Sequence, residues 1–410
     1  MGAAHTPGGL SAVQGPSVMR EMNQRLLLDR LFTSGPATRP ELSRDTGLSL
    51  PTVIAALTEL EQAGLVRQTG RRDAAQGRPA ANYEANPNAG AVVAVDIGHE
   101  WLHLITADLA GGRLGQIDIR NTAASAQALV ELTGSAVESV KKEAGLSQDD
   151  VIHTVIGSPG VYDTKRRRIK YAANLPGWQR LGIAEALTAQ LRTDITIDND
   201  ANLAALGEHT YGAVQTAENF VYLTVGTGVG LGLFLNGDLY RGSQGAAGEA
   251  GYLPLGEALV PPRPGAPARG MLEEAIAADA VVRYARELGM AEPLTAESVF
   301  NAARGGDDRA MRVVQHEAKQ MAQLVATILA LFDPEVIVLG GGVGQNLDLL
   351  EPDITTALRL ITSMTAPLTI GDLGQEAIVM GAIASGLSIA RRKVFEARIS
   401  QDVKNIRARS

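Results

Sequence analysis

Residues 195–202 read Ile195-Thr196-Ile197-Asp198-Asn199-Asp200-Ala201-Asn202, and residues 219–232 read NFVYLTVGTGVGLG. Each opens with a short apolar, β-rich run, the mark of a buried strand, and closes on acids and amides or on glycines. Runs of the same kind recur at 91–97, 150–156 and 335–339, with helical stretches between several of them. One of these, 319–332, places Met321, Leu324, Val325, Ile328, Leu329 and Phe332 along a single face. Strands alternating with helices predict α/β layers.

Two further strings lie on either side. Gly157-Ser158-Pro159-Gly160-Val161 leads into Asn174-Leu175-Pro176-Gly177-Trp178, and Gly248-Glu249-Ala250-Gly251-Tyr252 is followed by Gly270-Met271-Leu272-Glu273. Carboxylates accept hydroxyl hydrogens, often two at once, and an asparagine both donates and accepts. Backbone amides of a glycine-rich run can approach an anion closely. A polyol in a cleft suits this chemistry. Singly each string is weak, since a lone GTGVG is often a strand turn and a lone DND a capped loop. Their joint order carries the reading.

Residues 1–90 have a different grammar. Three helical segments follow one another, the first near 17–32 with Leu26, Leu27, Leu31 and Phe32 placed for a buried stripe. Thr38-Arg39-Pro40-Glu41 has the form of a capping box with proline early in the first turn, and Gly47 after Thr46 stops that helix. Ser49 caps a third helix whose Val53, Leu57 and Leu60 fall at i, i+4, i+7. Two short helices about a tight turn predict a helix-turn-helix, entering the major groove by Ser49, Pro51, Thr52 and then Ala55 or Ala56. An expected hairpin, strands near 65–68 and 82–84, carries Arg67, Arg71, Arg72 and Arg78 against Asp73, a wing for phosphates or the minor groove. A small protein-binding helical domain fits the helices equally; the helix order, both caps and the arginine-rich wing together favour double-stranded DNA.

Charge agrees with this division. The net charge is −8, yet residues 1–90 hold nine arginines against eight acids, so the acidity lies in the remainder. With 45% hydrophobic and 20% charged residues the chain is globular, and at 410 residues it exceeds one ordinary core. There is no cysteine, which excludes disulfides and thiolate metal sites. The start lacks a signal-peptide pattern and no apolar run is long enough for a bilayer, so a soluble cytoplasmic protein with no membrane partner is expected.

These strings, in this order, resemble the ROK family (repressors, open reading frames and sugar kinases), specifically its winged-helix transcriptional regulator branch, from about Met19 to Ile389. The resemblance implies an α/β chain: an N-terminal winged helix-turn-helix followed by a two-lobed, actin-like (ribonuclease-H-like) ATPase-type domain. The expected boundaries are a flexible tail at 1–16, the DNA-binding domain at 17–85, a linker at 86–90, and lobes at 91–200 and 201–390, with a C-terminal helix at 376–410 packing back on the first lobe. By resemblance Asn174, Asn199, Asp200, Glu249 and Glu273 touch a sugar, and Asp200 matches the general base of a kinase. Gly226, Thr227 and Gly228, with Gly98, would be vestigial phosphate contacts, and Gly340–Gly342 would lie near adenosine.

Three departures shape the expectation. Where the family's first phosphate loop reads DIGGT, this chain has Asp96-Ile97-Gly98-His99-Glu100. That removes close backbone approach and a hydroxyl, adds a repelling carboxylate, and argues against an enzyme. Tyr252 stands at the family's zinc histidine and Pro261–Arg269 replaces its cysteine loop, so no zinc and no other cofactor is expected. Tyr252 either offers its hydroxyl to a sugar or packs at a lobe edge. The winged helix, absent from single-purpose kinases, points to regulation. The expected function is a sugar-responsive transcriptional repressor, a homodimer or dimer of dimers on operator DNA; the alternative is an ATP-dependent, glucokinase-like sugar kinase with a DNA-binding appendage. The basic run 165–170 is read as an exposed hairpin tip, the pair His99 and His103 as structural, and no internal repeat is found.

Overall fold

A computed structural model describes residues 16–72, 80–172, 175–255 and 269–409. They divide into two compact units: residues up to 91 with 108–112 and the segment from 390 onward, and residues 92–107 with 113–389.

The first unit contains α1 (Pro16–Ser34), β1 (Ala37–Thr38), α2 (Arg39–Thr46), α3 (Leu50–Gln62), β2 (Val66–Arg72) and β3 (Ala80–Ala85). The sheet order is β1-β3-β2, with both pairings antiparallel. Thr38 N–H donates to the Glu41 carboxylate at 2.8 Å, and Gly47, at φ 72°, ends α2 in the left-handed conformation that glycine tolerates. Ser49 Oγ accepts the Thr52 N–H at 3.3 Å and starts α3. Leu27, Leu42, Val53, Leu57 and Leu60 are fully buried, each worth about 1.5–3 kcal/mol against exposure.

Particular expectations need correction. Leu26 is 44% exposed and Leu28 takes its place in the stripe, because Leu27, Leu28 and Leu31 share the inward face at 3.6 residues per turn. Ala56 is buried, leaving Ala55 outward. The two-residue β1 has no sequence signal; its pairing with Asn82 and Tyr83 defines it. The expected linker is held in place: Asn86 donates to Gly64 O at 2.8 Å and starts a 3₁₀ turn at Pro87–Ala89. Of the expected tail only Pro16 is described, at the start of α1.

The second unit begins with β4 (Ala91–Ile97), β5 (Trp101–Asp108), β6 (Arg113–Arg120), α4 (Ala126–Glu143) and β7 (Val151–Ser158). The hairpin β8 (Val161–Asp163)/β9 (Arg168–Lys170), α5 (Ile183–Leu191), β10 (Ile195–Asn199) and α6 (Asp200–Tyr211) follow. Then come β11 (Phe220–Val225), β12 (Val229–Leu235), β13 (Asp238–Leu239), α7 (Met271–Ile276), α8 (Ala278–Glu287) and α9 (Ala296–Arg304). The last elements are α10 (Asp308–Phe332), β14 (Val336–Gly340), α11 (Gly341–Gly344), α12 (Leu347–Ile361), β15 (Leu368–Ile370) and α13 (Ala377–Arg409).

Two five-stranded sheets result, ordered β10-β7-β4-β5-β6 and β13-β12-β11-β14-β15. Read from opposite ends these are the same topology: three consecutive strands side by side, then two more on the far edge of the first. The sequence shows no repeat, but the fold has one. Only residues 165–167 of the basic run form the exposed tip of the β8–β9 hairpin; 168–170 are β9 itself, with Ile169 buried and Lys170 paired to Asp163 at 2.5 Å.

Two helices join the lobes. Asp200 opens α6 directly after β10, and α6 packs on β12, where a side chain at Gly232 would strike the Ala201 carbonyl oxygen. A side chain added at Gly157 of β7 would meet Ile378 of α13, and one at Gly386 would meet Val92 and Val155. The two helices cross at Gly207 and Gly381: a Cβ at Gly381 would collide with the Leu203 carbonyl oxygen, and one at Gly207 with that of Ala377. Beside the crossing the fully buried Glu208 accepts the N–H groups of Ala213, Asp372 and Leu373 at 2.9–3.0 Å. The C-terminal helix therefore departs from expectation. Only its first part lies on the first lobe's strands; from Ala390 on it belongs to the winged-helix unit, where Arg391 sits 4.0 Å over Phe32 and Arg398 donates to Ala89 O at 2.7 Å.

Gly381→Ala tests the crossing. Helix propensity alone would favour alanine by about 1 kcal/mol. The backbone collision instead is expected to cost at least ~3 kcal/mol, read as a lower melting temperature of the full chain. An unchanged or raised melting temperature would show that the helices separate without penalty.

Candidate functional site

In the winged-helix unit, the outward face at the start of α3 holds Ser49, Leu50, Pro51, Ile54 and Ala55. Ser49 Oγ and Thr52 Oγ1 lie 2.8 Å apart and are occupied with each other and the cap. Leu50 and Ile54 are 43% and 39% exposed at i, i+4, so they add an apolar stripe that the search for polar groups missed. Their exposure is the signal, and it was invisible until the core-facing residues were assigned. Arg67 Nε donates to Glu84 Oε1 at 2.6 Å across the sheet, so its charge is paired. Arg71 and Arg72 lie in β2, and Arg78 lies outside the described residues.

The second unit gathers four of the acids that the sequence spreads over 178 positions, from Asp96 to Glu273. Asp96 closes β4, Asp200 opens α6, Glu249 precedes a 3₁₀ turn at Ala250–Tyr252, and Glu273 lies in the first turn of α7. Their mutual influence shows their closeness. Burial first, and the Asp200 charge second, push Asp96 up to about 8. Burial, then Asp200 and Glu273, push Glu249 up to about 7. Burial raises Asp200 to about 6 against the Ala201 N–H, which bonds its Oδ1 at 2.7 Å, while Glu273 pushes further upward. Like charges sharing a poorly hydrated site resist joint ionisation.

Asn199 caps α6 by accepting the Asn202 N–H at 3.2 Å, donates to Gly160 O at 3.1 Å, and also hydrogen-bonds the Asp200 carboxylate, which opposes the upward push of burial there. It orients the loop ahead of Asp200. Asn174 lies outside the described residues. Tyr252 is 43% exposed, meets Tyr171 edge-on at 5.4 Å, and its hydroxyl is raised by burial and by Glu249 and Glu273. It borders the acids.

Arg269 is the residue that sequence reasoning passed over. Its guanidinium donates to Glu273 Oε1 at 2.6 Å, to Asp279 Oδ2 at 2.8 Å and to the Thr227 carbonyl at 2.5 Å. One half-buried cation thus ties a site carboxylate to the glycine loop. That loop, Gly226–Gly230, lies against Gly341 and Gly342: a Cβ at Gly226 would sit 3.4 Å from Gly342 N. Gly341, at φ 76° with the Val225 carbonyl against it, accepts no larger residue. Between these glycines and Asp200 is a cavity of about 170 Å³, also lined by Tyr222, Gln345 and Gln375. A larger cavity of about 890 Å³ touches Asn199, Asp198 and Arg241 but none of Asp96, Asp200, Glu249 or Glu273. In the first loop Gly98 donates its N–H to Trp101 O at 2.8 Å, and His99 and Glu100 are exposed. Among the described residues no group of three or more acidic, His or Cys side chains is placed to hold a metal ion.

Known proteins resemble this chain over both of its units. The ROK family matches residues 92–386, and the DprA winged helix domain matches residues 20–70. A glucokinase from Halalkalibacterium halodurans is 34% identical over 281 residues, covering 63% of this chain and 83% of the relative. The xylose repressor of Bacillus subtilis is 23% identical over 371 residues, 88% of this chain and 94% of the repressor. A solved ROK family transcriptional regulator, a homologue of the E. coli MLC protein, superposes with a TM-score of 0.74 at 21% identity over 93% of this chain and 99% of the other.

The coupled acids set a pH dependence. Their folded pKa values lie above the ordinary 3.8 of aspartate and 4.5 of glutamate, so the folded chain holds protons that the unfolded chain releases. Stability from this source is complete below about pH 4 and declines as pH rises through about 8. Asp96→Asn, which stays neutral, is expected to remove on the order of 2 kcal/mol of that decline without ligand. Thermal melts of both proteins from pH 5 to 8.5 measure it; parallel curves would exclude Asp96 as the source.

Proposed function

The chain belongs to the ROK family, and from that membership we propose that it is a sugar-responsive transcriptional repressor. One observation carries the reading: a winged helix with an outward-facing α3 shares a chain with a cluster of interacting acids suited to hydroxyl groups. The full-length relatives support it, since the xylose repressor match spans both units while the glucokinase match covers 63% of the chain.

In this reading Asp200, Glu249 and Glu273 accept hydroxyl hydrogens of a sugar, Asn174 adds a further donor and acceptor, and Tyr252 borders the ligand. Asn199 acts through the loop it holds. Bringing sugar hydroxyls to these acids lets them ionise against donors instead of one another. Arg269 keeps Glu273 and the glycine loop in register without zinc, which a chain lacking cysteine and bearing Tyr252 would not hold by the family's motif.

On DNA, α3 enters the major groove with Ser49, Pro51 and Thr52, and Leu50 and Ile54 meet thymine methyl groups. Arg71, Arg72 and Arg78 of the wing meet the backbone or minor groove, and Arg67 joins them when its pair with Glu84 opens. A homodimer, or a dimer of dimers, presents two such helices to two half-sites. The sugar acts by binding the DNA-competent and DNA-incompetent states with different affinity. No described helix is long and apolar enough to cross a membrane, which accords with action on cytoplasmic DNA.

The glucokinase identity of 34% favours a second reading, an ATP-dependent sugar kinase with Asp200 as general base and Gly98, Gly226, Thr227 and Gly228 at phosphate. Against it stand the exposed Glu100 in the first loop and the small cavity beside Gly341 and Gly342. At about 170 Å³ that cavity falls below the ~300–1,000 Å³ of ordinary ligand pockets.

Fluorescence anisotropy on a duplex selected by the protein from a random pool separates the readings. One sugar among xylose, glucose, N-acetylglucosamine and their phosphates is expected to change DNA affinity at least about fivefold. Asp200→Ala is expected to keep sugar-free DNA binding and lose that response. ATP consumption with a hexose, abolished in Asp200→Asn, would establish the kinase reading in its place.

A further inference from the structure

Within the second unit α7, α8 and α10 enclose another cavity, about 290 Å³, that contains none of Asp96, Asp200, Glu249 or Glu273. Its inner wall is polar where a helix-packing core is normally apolar. Glu317 and Gln320, at i, i+3 on α10, are only 2% and 3% exposed, and both line the cavity. Glu317 Oε1 and Gln320 Oε1 have no hydrogen-bond partner. Buried polar atoms in folded proteins are paired, so two unsatisfied acceptors side by side call for a ligand that brings donors.

The charge around them selects the donor. Glu274, Glu287 and Glu317 line the cavity with one guanidinium, Arg283, which donates to the Glu274 carbonyl at 2.5 Å and lies 3.9 Å from the Glu274 carboxylate, leaving Glu287 and Glu317 as the acidic excess. His316 stacks on Tyr284 at 4.2 Å and closes an aromatic side. Burial lifts the Glu317 carboxyl well above the ordinary carboxylate range, so it holds a proton that a cation would replace. Neutral polyols would satisfy the acceptors but leave the acidic excess, and an anion would be repelled. The volume, just under that of ordinary ligand pockets, limits the guest to a small molecule.

We propose that this cavity binds a small primary amine, whose ammonium donates to Glu317 Oε1 and Gln320 Oε1. The site is separate from the sugar-binding reading and stands or falls without it. Uptake of the cation expels the Glu317 proton, so affinity rises with pH while the amine stays charged.

Titration calorimetry of the full chain with putrescine and with ethanolamine tests this, in phosphate and in MOPS, whose ionisation heats differ. Expected are saturable binding of one amine, proton release on binding, and tighter binding at pH 8 than at pH 6. Glycerol, which is neutral, and tetramethylammonium, which has no N–H, are expected to stay silent. Glu317→Gln keeps the shape and is expected to weaken binding at least about tenfold and to abolish proton release. Ala275→Leu fills the cavity while leaving the carboxylate, and is expected to block binding. Silence from both amines, equal binding of glycerol, or a crystal structure showing only ordered water or a second copy's side chain on Glu317 would each overturn the proposal.

Discussion

The second unit depends on a contact between two backbones. Where α6 and α13 cross, Gly207 and Gly381 leave no side chain between them, so each helix rests on the other's main chain. Small residues at a crossing permit close approach, and closeness makes the contact stiff. Glu208 locks the same place, its buried carboxylate gathering three backbone N–H groups from the segments after α6 and before α13. Because α6 begins at Asp200, immediately after the last strand of the first sheet, the crossing fixes where that carboxylate stands.

That fixed position explains the electrostatics. Asp200 is the shared neighbour of Asp96 and Glu249, and it influences both because the fold holds it where it cannot retreat to solvent. A rigid cluster of acids in one poorly hydrated place resists joint ionisation and so keeps protons that separated acids would lose. Arg269 sets a positive charge against one of these acids, Glu273. By holding Glu273, Asp279 and the Thr227 carbonyl together it joins α7, α8 and the glycine loop through one planar group.

The winged-helix unit obeys a simpler rule. Three helices bury a leucine-rich centre, a short sheet closes it, and α13 from Ala390 adds Val394 and Phe395 to its buried surface. Chain from the far C-terminus therefore completes a domain that the N-terminus begins. Arg398 reinforces this by bonding the carbonyls of Ala63, Gly64 and Ala89, which end α3 and the turn before β4.

Local chemistry was legible in the sequence. The caps at Thr38 and Ser49, the stop at Gly47, the strand 91–97 and the buried Val53, Leu57 and Leu60 depend on neighbours within a few residues, so spacing alone determined them. Asp200, Glu249 and Glu273 stand out in their strings, whereas Asp96 reads only as part of the first loop and its burial beside Asp200 comes from the packed chain. Tertiary structure decided the rest. The repeated sheet topology leaves no trace in residue identity, because pairing order depends on connections and not on composition. That Asn199 reaches Gly160, that Arg67 is paired to Glu84, and that Arg269 reaches Asp279 and the Thr227 carbonyl are set by partners 10 to 42 positions away in sequence. Side-chain type and period say what a residue can bond. Only the packed chain says what is left for it to bond.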